Sequence, residues 1–353
     1  MKQKIISITF VVFIIGLSLL SFILKDNELS KFERRKLAQI PKLNKNFIEN
    51  LDNYILDQFP FRNEFINLNS NINRNILQMT GYNDVYVIDN VIYEINYPLS
   101  DKQCIDFCNK INYIIEKDLQ NSNVYYSIIP DKEYFLNDEN YLKIDYNALQ
   151  TKIKLNAKYI NIMEDLKLED YYNTDIHWKQ ENLDKVVKNI IEQMGNTYKQ
   201  IDYKYKTYGN FYGASYSKAG RNILPDKLTY LYNEYTENSI VKHLEYGSKP
   251  VYDKQKLEGL DLYDIFLSGA SSYIEITNPN ATNEKELIIF RDSYGSSLAP
   301  LLIPYYSKIT LIDLRYINYD IVANLTDFEH KDVLFIYSAQ VINNSNLLKV
   351  NDF

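Results

Sequence analysis

Cysteine, tryptophan, histidine and surplus positive charge are all scarce in this chain. Only two cysteines, Cys104 and Cys108, occur in 353 residues. So low a count excludes a disulfide-stapled scaffold. The pair is four apart in a stretch with helical spacing and so shares one face. A disulfide within one helix has poor geometry, and a zinc site would need further ligands that are not nearby. Both read as semi-buried thiols, and core packing holds the fold, as this length permits. The formal net charge is −7, and no basic stripe is interleaved with aromatics. A nucleic-acid partner is thereby excluded. Disorder is excluded by 46% hydrophobic and 24% charged residues. Three histidines leave few choices for a general base.

What is abundant begins with tyrosine, 33 residues. Tyrosine rings stack on sugar faces and tolerate half-wet surfaces, but most are expected to replace Phe and Trp in the core. The N-terminus carries the longest apolar run, Ile5 to Leu24, with Lys2 and Lys4 before it and Lys25 after it. That length spans a bilayer core as a helix, and the leading positive charge favours a cytoplasmic N-terminus. A cleaved signal peptide is the rival reading, yet no small-residue cleavage site follows the run. We read residues 1–25 as an uncleaved single-pass anchor in the cell membrane, with the rest of the chain extracytoplasmic.

Residues 26–80 read as a helical neck. Phe47, Ile48, Leu51, Tyr54 and Ile55 have helical spacing. Pro60 should interrupt that helix, and a second stretch runs from Arg62 to about Gln78. Residues 81–353 read as the catalytic domain. Val85–Ile88 and Val91–Tyr93 flank Asp89-Asn90 as a β-hairpin. Lys102–Leu119 reads as an amphipathic helix, Asn123–Ile129 as a strand, Tyr159–Ile162 as a short strand and Gln180–Met194 as a helix. Residues 197–283 are Tyr-rich and read as an insertion of short strands and loops. Beyond them Leu287–Phe290, Ile309–Ile312 and Val333–Tyr337 alternate as strands with helices at Ser296–Ile303 and Ile321–Phe328. This alternation predicts a parallel sheet covered on both faces, with functional residues at the carboxyl ends of strands.

Two segments roughly 115 residues apart carry the chemistry, Thr174-Asp175-Ile176-His177-Trp178 and Phe290-Arg291-Asp292-Ser293-Tyr294-Gly295-Ser296. A hydroxyl becomes nucleophilic when an imidazole takes its proton, and a carboxylate orients that imidazole. Asp175, His177 and Ser293 supply these three groups. Ser293 sits at a strand-to-helix turn, where it is either a nucleophile facing backbone N–H donors or a plain N-cap. The D-x-H pair also fits a metal half-site or a surface loop, but neither His243 nor His330 offers a comparable context, so no metal is expected. Trp178 reads as a desolvated wall or as core.

These segments belong to a set. Glu33 to Pro41 reads E-R-R-K-L-A-Q-I-P, Asp57 to Arg62 reads D-Q-F-P-F-R, and Ile129 to Lys132 reads I-P-D-K. With T-D-I-H-W and R-D-S-Y-G-S in that order, the chain resembles the SGNH-hydrolase-like proteins of polysaccharide O-acetylation, of the AlgJ and AlgX kind. More closely it resembles the DHHW family. The resemblance implies a three-layer α/β/α domain behind a transmembrane helix and neck. It implies Asp175 as orienter, His177 as base and Ser293 as acyl-accepting nucleophile, with no cofactor. Arg291 stands where a GDS motif has Gly, and Ile176 departs from the family's name motif, but neither replaces a reacting atom. The implied activity is O-acetylation of an exopolysaccharide or cell-wall glycan, with a membrane-bound O-acyltransferase as acetyl donor. An acetylesterase using the same triad, or a non-catalytic polysaccharide-binding subunit, are the alternatives. For the oxyanion, the Ser293 N–H is the first donor, and the second would come from the 209–213 segment at Gly213 or from near Gly269. Plain turn glycines are the other reading. Lys132 and Arg291 would bind a substrate carboxylate or a structural one.

Overall fold

The apolar N-terminal run forms one helix, Lys2–Ile23. By length and composition it can cross a membrane. The computed structural model describes residues 2–30, 32–76, 81–220 and 223–351. After the first helix a small antiparallel hairpin pairs β1 (Leu29–Ser30) with β2 (Arg35–Lys36). Two short helices follow, Phe47–Asp57 and Arg62–Asn71. Pro60 falls in the break between them, as its missing N–H and fixed φ require. The expected end of the second helix at Gln78, the neck limit at residue 80 and the terminal Phe353 lie outside the described residues.

β3 (Val85–Ile88) and β4 (Val91–Glu94) form the predicted hairpin. Asp89 and Asn90 take φ of 49° and 65°, the left-handed pair that a two-residue turn demands. The helix Asp101–Asp118 starts from Ser100, whose side chain accepts from the Gln103 N–H. Then come β5 (Asn123–Ile129), β6 (Lys158–Tyr159) and the helix Asp184–Gln193. β7 (Lys204–Phe211) pairs with β8 (Asp226–Tyr232) as a separate antiparallel ribbon.

The remaining strands are β9 (Ile240–His243), β10 (Gly247–Lys249), β11 (Tyr273–Thr277), β12 (Glu286–Arg291), β13 (Lys308–Ile312) and β14 (Asp332–Ser338). An eight-stranded sheet runs in the order β10-β9-β11-β13-β12-β14-β5-β6. From β13 to β6 every pairing is parallel. The other three strands extend the sheet antiparallel. Here the sheet is mixed where alternation alone predicts a parallel one. The 240–277 strands are short and partly exposed, and the connection from His243 to Gly247 is too brief for a parallel crossover.

Successive residues of β12 serve opposite cores. Leu287 and Ile289 face one apolar cluster, with Val186 and Ile190 of the 184–193 helix and Leu298 of the helix Gly295–Leu302. Ile288 and Phe290 face the other, with Phe107 and Ile111 of the 101–118 helix. This is a three-layer α/β/α arrangement, and it explains why the central strands read as continuous apolar runs. In register, Arg291 lies opposite Ile336 and Ser338 opposite Ile129, so three carboxyl ends stand side by side.

Candidate active site

The loop from Tyr171 to Trp178 closes on itself through a bridge between those residues, with Tyr172 N–H donating to His177 O at 3.1 Å. Within it Asp175 Oδ1 accepts the His177 backbone N–H at 3.0 Å, an Asx-type turn. This turn puts carboxylate and imidazole on one side. His177 Nδ1 then lies 2.5 Å from Asp175 Oδ1, and Nε2 lies 2.7 Å from Ser293 Oγ. Ser293 is the one residue between Arg291 and Leu302 that keeps partial exposure. Its hydroxyl is not spent on a cap, because the helix begins with no side-chain cap bond at Tyr294. Asp292 fixes the turn instead. It accepts Tyr294 N–H at 3.1 Å and Ser338 N–H at 2.7 Å, tying β12 to the end of β14.

Asp175 is fully buried. Burial would raise its pKa, but His177, Arg34 and the Ala214 N–H together hold the carboxyl well below the usual range. It therefore stays ionised and accepts the Nδ1 proton, leaving Nε2 to accept from the Ser293 hydroxyl. Its second oxygen accepts Ala214 N–H at 2.7 Å and Arg34 Nη1 at 3.4 Å. The loop is braced from β8, where Asp226 accepts Asn173 N–H, Thr174 N–H and the Thr174 hydroxyl at 2.9, 2.8 and 2.7 Å. Tyr263 stacks flat on His177, centroids 3.9 Å apart at 8°, and donates to or accepts from Ser297 Oγ at 2.8 Å. Tyr294 meets the same imidazole edge-on and donates to Ile176 O at 2.6 Å.

The remaining sequence candidates lie elsewhere. Gly213 N–H donates to Thr174 Oγ1 at 3.0 Å, so it is not aimed at Ser293. A Cβ there would stand 2.3 Å from the Asp175 Cβ, so glycine is what lets this segment approach the carboxylate. Gly269, at φ 87°, donates to Phe266 O at 3.2 Å and packs against Asp264. Lys132 is buried and donates to Tyr172 O and Asn173 O at 3.0 and 3.2 Å, behind the loop. Arg291 is buried 3.6 Å from the Asp313 carboxylate, a structural pairing. Trp178 is core, its Nε1 donating to Ser297 Oγ at 2.9 Å. Asp226, Ala214 and Tyr263 had no signal in the sequence, because none lies in a motif segment; Arg34 lies in the E-R-R-K-L-A-Q-I-P segment, but nothing there ties it to Asp175. Tyr294 was within reach, since it belongs to the R-D-S-Y-G-S segment. Among the described residues, no group of three or more His, Cys, Asp or Glu stands ready to hold a metal.

No protein-family model and no curated protein matches the sequence. Solved structures do match. A DHHW family protein from Eubacterium siraeum is 21% identical, with a TM-score of 0.63 over 75% of this chain and 94% of that one. Bacillus cereus PatB1, solved with a sulfonyl adduct, is 18% identical, with a TM-score of 0.59 over 73% of this chain and 97% of that one. The O-acetyltransferase domain of Pseudomonas putida AlgJ aligns more loosely, at 10% identity and a TM-score of 0.43 over 73% and 92%. The chain thus resembles the DHHW and PatB1 structures across nearly their whole length, and what it shares with them is the fold.

Proposed function

We propose that this protein is an O-acetyltransferase that acetylates hydroxyls of an extracytoplasmic polysaccharide through an acetyl-serine intermediate. The observation that carries the reading is the unbroken chain of contacts from Asp175 through His177 to Ser293. In the first half-reaction, Ser293 Oγ attacks the acetyl carbonyl while its proton passes to His177 Nε2. The bond to the donor's leaving group breaks, and that group takes the proton from His177. In the second, a sugar hydroxyl gives its proton to His177 and attacks the acetyl-serine, and Ser293 Oγ leaves and recovers the proton. The Ser293 N–H is the oxyanion donor in this reading. Asp175 keeps the imidazole in the correct tautomer and steadies its positive charge.

The sulfonyl adduct in the PatB1 structure supports the reading, since sulfonyl electrophiles capture activated nucleophiles. The apolar helix Lys2–Ile23 supports a membrane position facing a donor that exports acetyl groups, a membrane-bound O-acyltransferase. Residues 1–25 would anchor the protein, 26–80 would form the neck, and 81–353 would carry catalysis with 197–283 as an insertion.

The test is acetyl release from 4-nitrophenyl acetate by the detergent-solubilised full chain, compared with Ser293→Ala and His177→Ala. Loss of acetyl release in both variants is expected, and oligosaccharide added to the wild type should divert acetyl from water to sugar. Equal rates in all three would sink the reading, and release that no oligosaccharide diverts would make the protein an acetylesterase.

A further inference from the structure

The triad carboxylate has a partner from near the N-terminus. Arg34 stands at the tip of the β1–β2 hairpin, 141 residues before Asp175 in sequence. Its Nη1 reaches Asp175 Oδ2 at 3.4 Å, and its Nη2 pairs with the Asp261 carboxylate. Asp261 in turn accepts the Tyr263 N–H at 3.0 Å, capping the 3-10 turn Leu262–Ile265. Tyr263 is the ring stacked on His177. One guanidinium therefore touches both the carboxylate that orients the imidazole and the cap of the turn that holds its stacking partner. A planar fork suits two carboxylates at once in a way that a lysine point charge does not.

The hairpin is docked onto the domain by more than this pair. Phe32 packs against Tyr212 and Tyr216, at centroid distances of 5.4 and 5.8 Å, on either side of Gly213 and Ala214. Arg34 takes φ 54°, a left-handed conformation that a short hairpin loop accommodates at its last position. Behind the tip, Glu33 pairs with Arg62, and Arg35 pairs with Asp57 at 2.5 Å, which fastens the hairpin to both neck helices. The chain from neck helix to hairpin to triad is continuous.

We propose that Arg34 is a positioning residue for Asp175 and His177, so that the neck next to the apolar helix is a working part of the site and not a spacer. The inference rests on the acyl-transfer reading above. Docking of the neck completes the triad, and loss of the guanidinium leaves a buried carboxylate with one counter-charge fewer and a loosened Tyr263 turn.

The experiment compares the wild-type full chain in detergent micelles with Arg34→Gln, Arg34→Lys, Asp261→Asn and Ser293→Ala. It reads kcat and KM for 4-nitrophenyl acetate, the rate of covalent labelling by phenylmethylsulfonyl fluoride, and Tm. Arg34→Gln should lower kcat and the labelling rate together by about 10- to 100-fold, with KM little changed, as small misplacements of catalytic groups do. Arg34→Lys should recover part of the loss, and Asp261→Asn should lose about 3- to 10-fold. A lowered Tm with wild-type kcat per folded molecule in Arg34→Gln, while Ser293→Ala is inactive, overturns this inference alone. Should Arg34→Gln fail to fold, wild-type kcat and labelling in folded Asp261→Asn overturns it equally. Undiminished turnover in Ser293→Ala overturns the acyl-transfer reading and this inference together.

Discussion

Asp175 and Glu133 are both almost completely buried, at 0% and 1% exposure, yet their carboxyl groups are driven in opposite directions. Asp175 collects donors: the His177 backbone and ring, the Ala214 N–H and the Arg34 guanidinium. Its pKa lies well below the usual range despite its burial. Glu133 receives the Tyr146 hydroxyl at 3.0 Å on Oε1, and Oε2 has no partner among the described residues. Burial first, and the nearby Asp131 second, push its pKa well above the ordinary value. Lys132 lies between these two neighbourhoods, and burial pushes it down to about 8 against the pull of Asp175, Asp226, Glu94 and Glu133. Burial sets how much a charge costs, and the donors around it decide whether it stays. A perturbed pKa is therefore not by itself a mark of catalysis.

The largest break in this comparison should come from Asp175→Asn. An amide cannot hold the Nδ1–H tautomer, and kcat should fall by about 10³- to 10⁴-fold. Glu133→Gln, by contrast, should leave kcat within about threefold, because burial favours the neutral form of this acid and the amide is neutral too. Parallel 4-nitrophenyl acetate assays at one pH read both. Comparable losses in the two variants would erase the distinction drawn between them.

Gly213→Ala should make the Asp175 neighbourhood more like that of Glu133. The new Cβ would meet backbone and Cβ atoms of Asp175 at 2.5 and 2.3 Å, so the segment carrying the Ala214 N–H must retreat. The expected cost is about 1–3 kcal/mol of stability, with a loss of kcat alongside. Thermal melts and activity on the same sample would show it, and an unchanged melt would contradict the close approach.

The pH dependence of stability separates the two acids by sign. Glu133 has a raised folded pKa, so the native state holds its proton more tightly than the unfolded chain does. Stability then falls as pH rises from the ordinary glutamate value through the folded one. Glu133→Gln should remove that slope, leaving Tm close to wild type at about pH 4 and higher than wild type at about pH 8. Asp175 contributes the reverse: its stabilisation is present above the ordinary aspartate value and is lost as pH falls through the depressed one. Melting curves across this range would expose a wrong sign in either case. The smallest effect expected is from Tyr146→Phe, which takes away the hydroxyl that Glu133 and the Asp131 N–H share. About 0.5–1.5 kcal/mol should be lost with kcat unchanged, and a fall in kcat would extend the site into this pocket.

What was legible in the sequence was local. The Asp89-Asn90 turn, the Pro60 break, the 3.6-residue period of the 184–193 helix and the buried run of β12 depend on neighbours a few positions away, and each reads directly from residue type. Asp175 with His177, and Ser293 at its turn, stood out for the same reason, since the side chains needed for the chemistry lie within single short segments. Tertiary structure alone decided the rest. It turned the antiparallel strands of the 240–277 region onto the edge of β13, spent the Gly213 N–H on Thr174, and buried Arg291 against Asp313. It also brought Tyr263 over the imidazole and Arg34 to the carboxylate. These contacts join residues tens to more than a hundred positions apart, where no periodicity or spacing connects them. Only the packed sheet and the docked β1–β2 hairpin make them neighbours.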